Sequence, residues 1–279
     1  MKLLVTGADG QLGHDVLAVA AARGVRAQGA DIRELDITDG PAAADFIGQS
    51  RPDAVIHCAA YTAVERAQGE PERCEAVNVL GSGNIARACA AAGAKMIYIS
   101  TDYVFNGEAR VPYDTGDEPA PLNVYGRTKL LGEHLTAQYC PRSFIVRTSW
   151  VFGLHGNNFV KNILSAASQK NEIDVVCDQT GSPTYTADLA GLLIDMAFTE
   201  KYGLYHATNE GLCSWADFAQ EILCLAGLKT RVNRIPSSRY PSKVPRPVYS
   251  ALSKRSLDAA GFSRLPPWQD ALERFMALL

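Results

Sequence analysis

Apolar and polar segments alternate along the first half of the chain in a way that predicts repeating strand and helix units. Apolar runs of strand length lie at Lys2–Thr6, Val25–Ala30, Asp53–Cys58, Met96–Ser100 and Phe144–Arg147. The segments between them place apolar residues at helical spacing, and the longest, residues 72–92, predicts one helix. Its buried stripe is expected at Val77, Leu80, Ile85 and Ala88. Strands that alternate with helices are typical of an α/β fold with a parallel, doubly wound sheet.

Three glycines follow the first predicted strand at a regular spacing: Gly7, Gly10 and Gly13. Glycines there permit a tight turn, close approach to a diphosphate and close packing of the following helix, whose N-terminus favours anions. The strand before the motif and the helix after it are the context that a dinucleotide-binding turn requires. The pattern therefore predicts a Rossmann-type domain, with an ordinary structural turn as the alternative.

Acidic residues after the second strand bear on the choice of dinucleotide. Asp31 ends that strand, and a carboxylate there ordinarily receives the ribose hydroxyls of NAD. Arg33 follows two residues later and could bind the 2′-phosphate of NADP, so the sequence leaves NADH and NADPH open. Asp36 and Ile37 are candidates for the adenine pocket, although Asp36 could instead cap the next helix. The run Ala60-Tyr61-Thr62 follows the third strand, where the cofactor would lie over the backbone.

A tyrosine and a lysine supply the candidate chemistry. Tyr125 and Lys129 stand four residues apart on a helix predicted to begin near Asn123, so their Cβ atoms would lie about 5–6 Å apart on one face. The lysine ammonium would stabilise the phenolate and lower the pKa of the tyrosine. Thr101, at the end of the fourth strand, could hold a substrate oxygen beside the phenol. These residues predict a carbonyl-reducing site, with hydride from a nicotinamide and a proton from Tyr125.

The spacing of Tyr125 and Lys129 occurs by chance in many helices, so a solvated pair is the alternative. The dinucleotide motif upstream favours the catalytic interpretation.

Composition limits the function classes. The chain has 279 residues, 47% of them hydrophobic, and a net charge of −3, which argues against a disordered protein or a general nucleic-acid binder. Its first apolar run stops at Gly7 and no run approaches the ~20 residues of a membrane span, so we expect neither a secretory leader nor a membrane anchor. Seven cysteines without a Cys-x-x-Cys pair indicate reduced thiols and a cytoplasmic enzyme.

The second half of the chain changes in pattern. From Gly156 onward the predicted elements are shorter, and no second glycine fingerprint occurs. We therefore expect an NAD(P)-binding domain at residues 1–150 and a smaller α/β substrate-binding lobe at residues 151–279, with the chain passing between the lobes.

A basic segment lies within this second half. Residues 222–257 contain no aspartate or glutamate but eight basic residues: Lys229, Arg231, Arg234, Arg239, Lys243, Arg246, Lys254 and Arg255. Such a local positive field suits a phosphorylated substrate, with a solvated basic face as the alternative. Arg246, in a proline-flanked turn, is the candidate for binding a diphosphate through paired hydrogen bonds.

Several motifs together resemble the extended short-chain dehydrogenase/reductase superfamily and, within it, the dTDP-4-dehydrorhamnose reductase family. The resemblance rests on Gly7-x-x-Gly10-x-x-Gly13, Ser100–Phe105, Tyr125–Lys129, Pro121–Gly126, Arg147–Val151, Gly156–Phe159, Asp178–Thr184 and Arg246-Pro247-x-x-Ser250. It implies reduction of the C4 ketone of dTDP-4-dehydrorhamnose to dTDP-L-rhamnose by NADPH or NADH. By that resemblance Tyr125 is the proton donor, Lys129 its partner and ribose anchor, and Thr101 the hydroxyl that positions the ketone.

The resemblance also implies which residues bind the two ligands. The implied cofactor contacts are Gly7, Gly10, Gln11, Leu12, Gly13, Asp31, Asp36, Ile37, Ala60, Tyr61, Thr62, Tyr125 and Lys129. The implied substrate contacts are Thr101, Asp102, Tyr103, Trp150, Asn158 and Arg246. Two of these have structural alternatives, a loop cap for Asp102 and a plain core residue for Trp150.

Some members of the family form dimers through a magnesium site built from acidic residues. Asp15 could match one of them, but Ala187 stands where another carboxylate would fall, so we expect no metal here and leave a homodimer open. A nucleotide-sugar epimerase or dehydratase would share the scaffold, but Asp102 is followed by Tyr103 rather than the glutamate common in dehydratases. A non-catalytic subunit like that of methionine adenosyltransferase is the alternative from another class.

Overall fold

A computed structural model describes residues 1–242 and 244–279, so Lys243 of the basic segment lies outside the described residues. The strands are β1 (Lys2–Thr6), β2 (Arg26–Ala30), β3 (Ala54–His57), β4 (Lys95–Thr101), β5 (Ser143–Thr148), β6 (Val151–Phe152), β7 (Glu172–Val176), β8 (Thr180–Gly181), β9 (Thr184–Tyr185), β10 (Gly203–His206), β11 (Cys213–Ser214) and β12 (Arg231–Ile235). The helices are α1 (Gln11–Ala22), α2 (Gly40–Ser50), α3 (Val64–Ala67), α4 (Pro71–Glu75), α5 (Ser82–Ala92), α6 (Val124–Tyr139), α7 (Phe159–Ala167), α8 (Thr186–Ala197), α9 (Trp215–Leu225), α10 (Arg255–Ala260) and α11 (Trp268–Met276). Short 3₁₀ turns lie at Asp102–Val104 and Ser237–Arg239.

Six strands form the central sheet in the order β10-β5-β4-β3-β1-β2, and every neighbouring pair is parallel. The predicted doubly wound parallel sheet is thus confirmed. The strand order reverses between β1 and β3, and the carboxyl ends of the strands at such a point form the crevice where α/β sheets bind ligands.

Helices cover both faces of this sheet. On one face, α1 and α8 pack over apolar residues of β1, β3 and β5. On the other face, α2 and α5 cover a second layer that includes Val55, Met96 and Tyr98, and α6 packs beside them against β4 and β5. The last strand, β10, and the covering helix α8 both come from the second half of the chain.

A second apolar core lies in the part of the chain that was predicted to form a smaller lobe. Phe152, Phe218 and Phe275 are fully buried there, together with apolar residues of α7, α9 and α11. Short strand pairs, β6 with β9, β7 with β12 and β8 with β11, frame this lobe. Its first strand begins at Val151, directly after the carboxyl end of β5, so the two cores meet beside the crevice of the sheet.

The helix predicted at residues 72–92 is interrupted. One turn of π-helix, Ala76–Gly81, joins α4 to α5. A π turn holds one more residue than an α turn, so positions on either side of it no longer share one stripe. Ile85 and Ala88 are buried as predicted, but Leu80 is 57% exposed, and its assignment to the buried stripe was wrong.

Candidate active site

A cleft of about 810 Å³ opens along the carboxyl ends of β1 to β5. Most of the residues implied above line it: Gly7, Gly10, Gln11, Leu12, Gly13, Asp31, Asp36, Ile37, Ala60, Thr62, Thr101, Asp102, Tyr103, Tyr125, Lys129 and Trp150. The fold therefore brings the glycine turn and the Tyr125–Lys129 pair, more than 110 residues apart in sequence, into one cavity.

The glycine turn is closed by backbone contacts that leave no room for side chains. Gly7 has a φ of +66°, a conformation that residues with a Cβ rarely adopt. A Cβ on Gly7 would lie 2.6 Å from the backbone nitrogen of Ala59, and a Cβ on Gly13 would overlap the carbonyl oxygen of Gly7. Helix α1 begins immediately after the turn, at Gln11, so its N-terminus adjoins the cleft and suits a diphosphate.

The dinucleotide end of the cleft carries both signs of charge. Asp31 accepts hydrogen bonds from the backbone nitrogens of Asp9 (3.0 Å) and Ile32 (2.7 Å), which fix its carboxylate at the end of β2. Arg33 donates to the carboxylate of Asp9 at 3.0 Å and is largely exposed. A ribose hydroxyl would find an acceptor in Asp31, and a 2′-phosphate would find a cation in Arg33, so the residues present fit either dinucleotide.

Asp36 does not cap a helix. Its carboxylate accepts hydrogen bonds from the backbone nitrogen (2.9 Å) and hydroxyl (2.7 Å) of Thr38, whereas Asp39 caps α2 by accepting from Ala42 at 3.0 Å. Ile37 is buried beside it and packs against Gly81 of the π turn. Both residues remain at the cleft wall, where an adenine ring would be enclosed.

Helix α6 delivers Tyr125 and Lys129 to the cleft. Asn123 caps the helix by accepting from the Gly126 backbone nitrogen at 2.9 Å. A Cβ at position 126 would overlap the carbonyl oxygen of Tyr103, so glycine lets the helix approach the loop after β4 closely. The rings of Tyr103 and Tyr125 consequently meet edge to face, with centroids 5.5 Å apart.

Burial dominates the protonation of the Tyr125–Lys129 pair. It raises the pKa of Tyr125 well above its ordinary value, although a hydrogen bond with Thr101 acts in the opposite direction. Burial lowers the pKa of Lys129 to about 7, and the Lys129 ammonium lies 4.1 Å from the centroid of the Tyr98 ring. The sequence predicts a tyrosine with a lowered pKa, but burial instead keeps the Tyr125 phenol protonated, because desolvation disfavours the charged phenolate.

Two polar atoms with no partner lie at the cleft. Asp102 Oδ2 and Thr148 Oγ1 are buried, and no donor in the described ranges is placed to hydrogen-bond them directly, although the Ser250 hydroxyl lies near enough to the Asp102 carboxylate to lower its pKa. Asp102 Oδ1 accepts from the Thr101 hydroxyl at 3.1 Å, and burial raises the pKa of Asp102 to about 6. Thr101, rather than Asp102, caps the following turn by accepting from the Tyr103 backbone nitrogen at 3.2 Å. Unpartnered buried acceptors suit a ligand that offers hydroxyl donors, such as a sugar.

Trp150 joins the two lobes at the cleft. Its φ is +49°, a strained value for a large side chain, and its indole stacks on Trp215 with ring centroids 3.6 Å apart. A Cβ on Gly181 would lie 2.7 Å from the same indole, so the ring is wedged between two segments of the second lobe. Trp150 is half-buried and lines the cleft, which distinguishes it from a plain core residue.

Three of the implied residues do not line the cleft. The Tyr61 hydroxyl donates to Glu70 at 2.8 Å, away from the predicted dinucleotide contact. Asn158 caps α7 and donates to Gln11 Oε1 at 2.8 Å, which links the second lobe to the glycine turn. Arg246 donates to Glu65 at 2.6 Å on the rim. Burial raises the pKa of nearby Tyr103 to about 12, although the Arg246 charge opposes the rise.

Asn78 was not among the predicted site residues, yet its side chain connects the loop after β3 to helix α6. From the π turn, its amide oxygen accepts from the Tyr61 backbone nitrogen at 2.8 Å, and its amide nitrogen donates to Thr128 Oγ1 at 3.1 Å. A polar residue beside Val77 in an otherwise apolar helical pattern was the available signal. The buried ion pair between Glu133 of α6 and Arg147 of β5 was also missed, although a charged residue inside the apolar β5 run could have indicated it.

Asp15 lies away from any cluster of metal ligands. Its carboxylate accepts from the Thr186 hydroxyl, and no group of three or more histidine, cysteine, aspartate or glutamate side chains in residues 1–242 and 244–279 could hold a metal ion. Across the same residues, no helix combines the length and apolar character that crossing a bilayer would require.

Comparison with known proteins places the chain in a family. Residues 1–279 match the family model described as RmlD substrate binding domain. A dTDP-4-dehydrorhamnose reductase of Mycolicibacterium smegmatis is 42% identical over 99% of this chain and 85% of its own. The crystal structure of a dTDP-4-dehydrorhamnose reductase from Bacillus anthracis, in complex with NADP, has a TM-score of 0.97 and 39% identity over 100% of this chain and 99% of its own. A dTDP-4-dehydrorhamnose reductase from Clostridium acetobutylicum has the same TM-score at 38% identity over the same shares. The chain belongs to the RmlD substrate binding domain family.

Proposed function

We propose that the protein reduces the C4 ketone of dTDP-4-dehydrorhamnose to dTDP-L-rhamnose with NADPH or NADH. The observation that carries the proposal is the convergence of Thr101, Tyr125 and Lys129 with the glycine turn in one cleft. The names of the relatives support the substrate, and the NADP complex of the Bacillus anthracis relative supports the cofactor.

The side chains of the cleft have distinct tasks in this reaction. A bound reduced nicotinamide supplies the hydride. The Thr101 hydroxyl orients the ketone oxygen, and Tyr125 donates a proton to the alkoxide that forms there, because an alkoxide is a far stronger base than a phenolate. Lys129 contributes a positive charge one helical turn below the phenol, which stabilises the phenolate left after donation. Asp102 Oδ2 accepts a sugar hydroxyl, and Trp150 provides an apolar wall.

The nucleotide end of the substrate lies toward the basic rim. Arg246 carries a guanidinium beside Tyr103, and we assign the diphosphate to it. Binding requires the guanidinium to share or leave its contact with Glu65. The free thiols of all seven cysteines support a reducing compartment and hence a cytoplasmic enzyme.

We also propose a homodimer, and this part of the proposal rests only on the resemblance to the family.

Two alternatives are separable by experiment. A nucleotide-sugar epimerase retains its cofactor in the same redox state over the cycle, so it would show no net loss of reduced nicotinamide. A non-catalytic subunit like that of methionine adenosyltransferase would bind a partner without turnover. The intact Thr101, Tyr125 and Lys129 set in the cleft favours an enzyme over the non-catalytic subunit, and the net loss of reduced nicotinamide separates a reductase from an epimerase.

The test is an absorbance assay at the reduced-nicotinamide band, with NADPH and NADH in turn and dTDP-4-dehydrorhamnose generated in situ. We expect stoichiometric loss of the band and dTDP-L-rhamnose as the product by chromatography and NMR. Binding of either dinucleotide without any loss of the band would reject the proposed reaction.

A further inference from the structure

A buried carboxylate lies one helical turn beyond the candidate lysine. Tyr125, Lys129 and Glu133 follow one another at four-residue steps on α6, so they share a face of the helix. Glu133 is 3% exposed, and its carboxylate receives two hydrogen bonds from Arg147, at 2.9 and 2.7 Å, and a third from the Ser100 hydroxyl. A paired, bidentate arrangement of this kind fixes the position of a carboxylate.

The partners of Glu133 belong to two neighbouring strands of the sheet, one of which leads to the site. Ser100 and Arg147 are laterally paired in β4 and β5, so their side chains point to the same face of the sheet. The next residue of β4 is Thr101. The contacts of Glu133 therefore join the helix that carries Tyr125 and Lys129 to the strand that carries the candidate substrate-orienting hydroxyl.

Arg147 has a neighbour of its own on this face. His206 lies beside it in β10 and donates through Nδ1 to the Tyr113 carbonyl at 3.1 Å. Burial lowers the pKa of its ring to about 3. The histidine is thus neutral. The Arg147 side chain is nearly fully buried, and its charge is balanced by Glu133 rather than by the histidine.

Glu133 is also the charged neighbour of Lys129. Four other titratable side chains around the lysine come from β3, the loop after it, α4 and β4: His57, Cys58, Cys74 and Tyr98. Burial lowers the pKa of the histidine to about 3, and it raises the pKa values of both thiols and of the phenol, so all four are neutral near pH 7. Burial lowers the pKa of Lys129 itself, and the charge of Glu133 opposes that shift.

We propose that Glu133 is a positioning residue that acts through Lys129 by keeping it charged below Tyr125, with Arg147 and Ser100 fixing the position of the Glu133 carboxylate. This inference rests on the reductase function proposed above. Arg147 carries the opposite charge next to Glu133, so the two charges act on Lys129 in opposite directions. Substitutions that remove one charge or both can therefore separate an electrostatic role from mere packing.

The test combines a direct titration with kinetics on the full-length protein. Lysine labelled with ¹³C at the ε carbon reports the pKa of Lys129 by NMR, with the signal assigned from a Lys129→Met variant. The pH dependence of kcat/KM is measured in parallel, since it reports groups of the free enzyme. The variants are Glu133→Gln, Glu133→Asp, the double variant Glu133→Gln with Arg147→Met, and Glu172→Gln as the control on the exposed side of β7.

In Glu133→Gln we expect the pKa of Lys129 to fall by about 1 unit, and we expect the alkaline limb of the kcat/KM profile to shift to lower pH by a similar amount. Glu133→Asp should retain most of the wild-type pKa, and the double variant should recover part of the loss, because the uncompensated Arg147 cation is gone. Glu172→Gln should match the wild type.

An unchanged Lys129 titration in both Glu133→Gln and the double variant would overturn the proposal, whatever the turnover. If Glu133→Gln does not fold, the aspartate and double variants decide. A wild-type protein without reductase activity would reject the proposed function, while the NMR titration would still report whether Glu133 supports the charge of Lys129.

Discussion

Arg246 donates from Nη2 to Glu65 Oε1 at 2.6 Å and so connects residues that lie 181 positions apart. The contact is on the rim of the cleft, and the Asn123 amide reaches the same turn by donating to the Pro245 carbonyl at 2.9 Å. The cap of the catalytic helix and the candidate diphosphate ligand are therefore held by one short turn.

Arg246→Ala should raise the KM for the nucleotide sugar by roughly 10- to 100-fold and change kcat much less, because a diphosphate far from the reacting carbon is bound equally in the ground and transition states. Steady-state kinetics with the sugar varied at saturating cofactor measure this. Arg239→Ala removes an exposed arginine from the same basic segment and should leave both constants nearly unchanged. Equal KM values for the two variants would show that the diphosphate binds at residues other than Arg246.

Tyr125→Phe should lower turnover by roughly 10²–10⁴-fold while dinucleotide affinity stays near that of the wild type, because the substitution removes only the proton that is donated. Turnover and a fluorescence titration with NADPH give the two quantities. Tyr139→Phe is the matched control, since Tyr139 ends the same helix and its ring packs under Arg87 instead of facing the cleft. Near-normal turnover in Tyr125→Phe would assign the proton to another group.

Gly13→Ala should weaken dinucleotide binding at least tenfold and lower the free energy of unfolding by about 1–3 kcal/mol, because the added Cβ overlaps the Gly7 carbonyl oxygen. Calorimetric titration and urea unfolding measure the two effects. Gly48→Ala is the control: a Cβ there meets no atom within 4 Å, and α2 should gain up to about 1 kcal/mol from the better helix former. Unimpaired binding by Gly13→Ala would show that the turn relaxes.

Asp102 should leave a signature in the pH dependence of stability. Its pKa is about 6 in the folded protein and near 3.8 when exposed, so the folded state binds the extra proton between these values. The free energy of unfolding should therefore fall as pH rises from about 4 to about 6, by on the order of 3 kcal/mol in total. Urea unfolding of the wild type and Asp102→Asn across this range isolates the contribution as a difference, and parallel curves would contradict it.

The fold could be predicted to the extent that local pattern determines it. Buried parallel strands are apolar along their whole length, so β1, β3, β4 and β5 appear directly as apolar runs. The π turn at Ala76–Gly81 has no such pattern, since nothing in the local spacing of apolar residues marks the extra residue or the close approach of Gly81 to Ile37. Leu80 was therefore assigned to the wrong side.

The same distinction applies to the candidate site: contacts within one helix could be predicted, and contacts between distant segments could not. Tyr125 and Lys129 lie on one helix, and their spacing alone predicts that they are neighbours. Arg147 and Glu133, like Arg246 and Glu65, meet only after distant segments have packed, and no spacing rule connects them. The cofactor contact predicted for Tyr61 from its position after β3 stays a prediction, and in the structure its hydroxyl donates to Glu70.

The place of β10 at the edge of the main sheet constrains how the chain can be made and cut. Both β10 and α8 follow β6, β7 and α7 in the chain and are synthesised after them. Even so, β10 pairs with β5, and α8 covers one face of β1. On a ribosome, a nascent chain ending near residue 150 would expose an open sheet edge and an unfilled core. A truncated fragment of that length should aggregate rather than fold, and the two lobes should unfold in a single cooperative step.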